Sequence, residues 1–222
     1  MSVEILGKRI DTVGIVDDSE DMRNTISDDL QDADFIPRPF EGQYSNIQSL
    51  MGEVVGSADA VICDHHLKPR NYASFSGAEL AANLYQVKFP FVLVTRWTSA
   101  VIEQIRFYRR HIPALVSPDN VSTETIIDSF QMCLEEFGDS FRPTRKPWSA
   151  VVRVEDITDA KPDKLVSITI SAWNPNQVIN IRLDTIPSSL QDKVHPGARF
   201  FAKVNIGAET QEELYLEDFE YR

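Results

Sequence analysis

Four places in this 222-residue chain put a reactive polar side chain at the end of a short apolar run: Asp17 with Asp18, then Asp64, Thr95 and Ser117. Carboxylates act as nucleophiles or as oxygen ligands for hard cations, and hydroxyls donate hydrogen bonds. The separations are 46 residues from Asp18 to Asp64, 31 from Asp64 to Thr95, and 22 from Thr95 to Ser117. Plainer readings exist for each. An acidic pair suits the start of a helix, where the dipole favours it, and a Thr can simply end a strand. Asp64, His65 and His66 together do not make a transition-metal site, since adjacent histidines diverge and no further His lies at ligand spacing. The chain has no Gly-rich phosphate loop, Gly-x-Ser-x-Gly elbow or Cys-x-x-Cys pair, so ordinary hydrolase and nucleotide-binding chemistry lack support.

The elements that must position these residues are legible. Residues 12–16 (TVGIV) form a first apolar run, and Ser19 is placed to cap a helix over 20–33 with Met22, Ile26 and Leu30 inward. Residues 35–40 (FIPRPF) predict an edge strand, because Pro37 and Pro39 cannot donate to a ladder. A second helix follows on Ile47, Leu50, Met51 and Val54, and 59–64 (DAVICD) reads as a buried strand. After a long loop, 65–75, a third helix opens at Ser76 with Leu80, Leu84 and Val87 inward. A strand at 89–95, a helix at 98–110, a strand at 112–116 and a helix at 121–137 complete five βα units. Such alternation predicts a doubly wound parallel sheet, whose functional crevice lies at the carboxyl ends of the strands. The four polar positions all fall there.

In that order and at those strand ends, the residues resemble the receiver domain of two-component response regulators over about residues 10–138. The acidic pair Asp17 and Asp18 ends the first strand, Asp64 the third and Thr95 the fourth. Ser117 and Pro118 stand where the family has Lys-Pro, and the run from Ser76 to Leu80 resembles the family's Asp-Gly-x-Glu-Leu. The resemblance implies a flavodoxin-like fold in which Asp64 accepts a phosphoryl group. It implies Mg²⁺ held by Asp18 and Asp64, by Asp17 through water and by the His66 backbone carbonyl, with Thr95 as the hydrogen-bonding switch. A sensor histidine kinase or other phosphodonor would be the partner, in a phosphorelay. The chain departs from the family at Ser117 and at Ala114, where the family has an aromatic switch, and the loop after Asp64 is about five residues longer. Arg96 or Lys68 is available to substitute for the missing lysine. Two readings stay open: a regulator whose phosphorylation controls contacts with a partner or with the β domain, and a pseudo-receiver scaffold that binds a protein partner without phosphorylation. Neither is a conventional enzyme.

The run 137–147 (FGDSFRPTRKP) has a Gly, two Pro and several polar residues, so residues 139–148 read as a linker. From 149 to 222 the apolar period becomes two, as in Val166, Ile168 and Ile170, which predicts a small antiparallel β-barrel or sandwich and an interaction module. Trp148, Trp173, Phe201 and Tyr215 are candidates for its binding surface. Net charge is −12, and residues 1–140 hold 11 Lys and Arg against 22 Asp and Glu. An acidic body without a basic recognition helix argues against DNA. Arg106, Arg109 and Arg110 share one helix face and are candidates for contact with an acidic partner or a second copy of the chain. Cys63 and Cys133 read as buried thiols, and no apolar run approaches the ~20 residues of a membrane helix. A cytoplasmic location is the expectation.

Overall fold

The computed structural model describes residues 3–96, 98–160 and 163–221. The chain divides into two units, one of Met1–Trp97 with His111–Ser140, the other of Thr98–Arg110 with Phe141–Arg222. In order, the elements are β1 (Val3–Ile5), β2 (Lys8–Ile10), β3 (Thr12–Val16), α1 (Glu20–Asp32), β4 (Ile36–Pro39), α2 (Ile47–Ser57), β5 (Ala60–Asp64), α3 (Gly77–Gln86), β6 (Phe91–Val94), α4 (Ser99–Arg106), β7 (Leu115–Val116) and α5 (Thr123–Phe137). Strands β8 (Trp148–Ala160), β9 (Asp163–Ile170), β10 (Asn174–Arg182), β11 (Arg199–Val204) and β12 (Leu216–Tyr221) follow.

In the first unit the parallel sheet runs β4-β3-β5-β6-β7. Counted along the five βα units this is 2-1-3-4-5, the flavodoxin-like doubly wound order. Runs such as Phe91–Val94 are buried on every residue because helices cover both faces. On one face Ile26, Leu30, Ile126 and Phe130 of α1 and α5 pack on Val13, Ile15, Ile62 and Val92. Val61, Cys63, Phe91 and Leu93, of opposite parity, are buried too, where α2 and α3 lie. The prolines of β4 keep it at the edge, as expected. The hairpin of β1 and β2 was not expected, and its Ile5 and Ile10 join the α1/α5 core. Two inward assignments are corrected. Met22 is 41% exposed while Arg23 is buried, so the inner face of α1 is Arg23, Ile26 and Leu30; Val87 is 54% exposed because the helix ends before it.

The second unit is built on one antiparallel sheet, β10-β9-β8-β11-β12. The alternation forms a core of Val152, Val154, Ile168, Ile181, Phe200 and Val204 among others. Among the described residues the sheet is open rather than closed into a barrel, since alternation fixes faces and not closure. Helix α4 belongs to this unit and lies against β10, with Val101, Ile102 and Ile105 buried. The expected linker is also built in. Arg145 is buried and donates to the carbonyls of Arg109 at 3.1 Å and Arg110 at 2.9 Å. Trp173 donates its indole N–H to the Ala208 carbonyl at 2.8 Å, and fully buried Tyr215 donates its hydroxyl to the Arg145 carbonyl at 2.6 Å, so both are structural.

The arginine face is therefore not an open partner contact. Arg106 and Arg109 are buried, and Arg110 pairs with Glu217 at 3.0 Å. Arg106 donates to the carbonyls of Gln211 at 2.6 Å and Leu214 at 3.2 Å, and burial pulls its pKa down to about 10. Arg106→Met leaves both carbonyls without that donor. We expect it to lower the unfolding free energy by about 2 kcal/mol in urea titration; a loss under about 0.5 kcal/mol, ordinary for a surface change, would refute a structural role for this residue.

Candidate functional site

The register of the sheet collects the reactive residues. Val16 lies beside Cys63, Asp64 beside Val94, and Val94 beside Val116. Asp17, Asp64, Thr95 and Ser117 therefore arrive at one edge of the sheet. Asp17, Asp18, Asp64, His66 and Arg96 line a single pocket of about 360 Å³, with Pro118 on its wall. Lys68 is not among the lining residues.

Two of the three carboxylates, Asp17 and Asp64, are held by their own turns. The Ser19 N–H donates to Asp17 Oδ1 at 2.7 Å, and the His66 N–H to Asp64 Oδ2 at 2.7 Å. Ser19 occupies the helix N-cap, but its side chain makes no capping bond. Burial raises the Asp17 pKa, Asp18 adds to the rise, and Arg23 and Arg70 oppose it. Burial, then Asp17, push Asp64 up to about 7, with His66 N–H opposing. The site thus holds more negative charge than its own cations offset. Thr95 is 1% exposed, and its Oγ1 is buried without a hydrogen bond among the described residues.

The donor set suits a hard cation. Asp17, Asp18, Asp64 and the His66 carbonyl offer oxygen only, which favours Mg²⁺ over softer metals, and a bound cation would relieve the repulsion that raises Asp64. Among the described residues no three His, Cys, Asp or Glu side chains form a ready-made metal cage. Mg²⁺ does not need one, since it keeps several of its waters.

Sequence reasoning missed three supports. Arg23 donates to the Asp17 carbonyl at 2.6 Å and lies over the Tyr72 ring, 5.9 Å from its centroid. Its place three residues before Ile26 and seven before Leu30 was the available signal. Tyr72 anchors the long loop by donating to the Phe40 carbonyl at 2.7 Å, and Tyr44 pairs with Ala73 in an isolated parallel bridge. Arg70, on the same loop, reaches the Asp18 carbonyl at 3.5 Å. No local pattern reveals the Tyr72–Phe40 and Arg70–Asp18 contacts, whose partners lie 32 and 52 residues apart. Arg106, Arg109 and Arg110 belong to the other unit.

No family model and no curated protein matches this chain. Similar solved structures include the chemotaxis response regulator CheY4 of Vibrio cholerae, at 20% identity and TM-score 0.41, over 56% of this chain and 99% of that one. TrrA from Thermotoga maritima, a response regulator protein solved in complex with Mg²⁺ and BeF, is 19% identical, with TM-score 0.41 over 52% of this chain and 92% of that one. NtrX from Brucella abortus is 17% identical with TM-score 0.42; the match covers 56% of this chain but spans only 27% of that longer protein.

Proposed function

We propose that this chain, whose first unit has the receiver fold, is a response-regulator-like signalling protein that accepts a phosphoryl group on Asp64. The observation that carries this is the pocket itself, which Asp17, Asp18 and Asp64 line together; Thr95, between the lining residues Val94 and Arg96, has a buried hydroxyl without a hydrogen-bond partner among the described residues. Asp64 acts as nucleophile. Its carboxylate oxygen bonds to phosphorus as the donor's bond to phosphorus breaks, and the donor's leaving group departs with the electron pair. Mg²⁺, when bound, offsets the repulsion between carboxylates and phosphoryl oxygens, which at 4 Å is about 4 kcal/mol per charge pair at an effective dielectric of ~20. Asp17, Asp18, Asp64 and the His66 carbonyl would hold it. Thr95 then donates its free hydroxyl to a phosphoryl oxygen, and this new bond biases the end of β6. A sensor histidine kinase or another phosphodonor in the cytoplasm supplies the group, and the output is contact with a protein partner or a second copy.

Treatment with acetyl phosphate and Mg²⁺ tests this. Intact mass should rise by one phosphoryl group in the parent, and stay unchanged with EDTA or in Asp64→Asn. A second reading, a pseudo-receiver scaffold, is favoured by Ser117 in place of the family lysine. It requires a parent that stays unlabelled, and partner capture that Asp64→Asn leaves intact.

A further inference from the structure

With serine at 117, the positive charge a transferring phosphoryl group needs must come from elsewhere. We propose that Arg70, carried by the long loop after β5, supplies it. This rests on the phosphoryl-acceptor reading of the pocket and names a residue for it that the sequence resemblance does not.

The loop is a built arm. Leu67 is fully buried, Tyr72, Ala73 and Phe75 nearly so, and the Ala73 N–H closes the loop onto the Leu67 carbonyl at 2.9 Å. Between these anchors Arg70 and Asn71 stand exposed, both in the left-handed region, at φ 60 and φ 56. Two successive non-glycine residues there are costly and persist only where their surroundings impose them. The Arg70 guanidinium stands 3.5 Å from the carbonyl of Asp18, which lines the pocket, although Arg70 is not itself a lining residue. Among the described residues no carboxylate forms an ion pair with it, so its charge remains available to an incoming anion. A guanidinium presents paired donors that match phosphoryl oxygens. Arg96 lines the pocket directly after β6, where it is exposed, and is the competing candidate.

The experiment measures the initial rate of labelling by acetyl phosphate with Mg²⁺ in the parent, Arg70→Ala, Arg70→Gln, Arg96→Ala and Arg70→Ala/Ser117→Lys. Unfolding midpoints serve as the folding control. Removal of one preorganised charge from a developing anion should slow labelling about tenfold or more in both Arg70 variants. Lysine at 117 should restore most of the loss, and Arg96→Ala should lose less than either Arg70 variant. Arg70 variants that label like the parent, or a loss confined to Arg96→Ala, overturn the inference alone. A parent that takes no label overturns the underlying reading, and this one with it.

Discussion

Alanine at position 77 is expected to remove about 3 kcal/mol or more of stability, the upper range for forcing atoms into a packed site. A Cβ there would stand 1.9 Å from the Asp64 carbonyl oxygen, 2.7 Å from its carbon and 2.9 Å from His65 Cα. All three are backbone atoms at the end of β5, so no flexible side chain can swing aside. Helix α3 enters at this point because the Gly77 N–H donates to the His65 carbonyl at 2.9 Å. The collision would push α3 away from the strand end that carries Asp64. Phosphoryl acceptance should therefore fall along with the urea midpoint. Gly52→Ala is the control: it lies inside α2 with nothing within 4 Å of the added carbon, and should gain about 0.5–1 kcal/mol from helix propensity. Equal behaviour of the two variants would mean that α3 does not sit against β5 as described.

Asp64→Asn should make the protein more stable at pH 8 in divalent-free buffer, although it abolishes the acceptor. The folded protein holds the Asp64 proton up to about pH 7, whereas an unfolded Asp loses it near 3.9. The raised pKa contributes stability below about pH 4, and that contribution is lost as pH rises through 7. Three units would amount to roughly 4 kcal/mol, but Asp64 is partly exposed, so about 2 kcal/mol is the expected gain at pH 8. The gap between variant and parent should shrink steadily from pH 8 to pH 4. Asparagine keeps an oxygen for the His66 N–H, so the difference reports charge rather than a lost hydrogen bond. Adding Mg²⁺ should stabilise the parent more than the variant. A difference that is flat with pH would place Asp64 in water, away from Asp17.

The parallel sheet and its acidic edge were open to sequence reasoning for a local reason. Each strand is a short apolar run that stops at or just before a residue with chemistry, so finding Val16, Asp64 and Val94 as strand ends also finds the pocket that they line. Registration did the rest. The loop after β5 carries no period, so Arg70 and Tyr72 had no signature before their contacts with Asp18 and Phe40 were seen. Arg23 could have been found, since it completes a spacing of three and seven with Ile26 and Leu30, but a charged residue is a weak candidate for an inner face. Helix α4 misled more deeply. Three arginines on one face suggest solvent, and the carbonyls that Arg106 serves lie more than 100 residues later. Prolines between 141 and 147 suggested a tether, yet Arg145 is buried there.

Because α4 is threaded into the second unit ahead of β7 and α5, the polypeptide enters that unit, leaves it and returns. No lone scission separates the two halves. A fragment starting at Phe141 would abandon the guanidinium that Gln211 and Leu214 depend on, while its complement would keep Val101, Ile102 and Ile105 bare of β10. Any single cut therefore leaves one of the two units without a segment of its own.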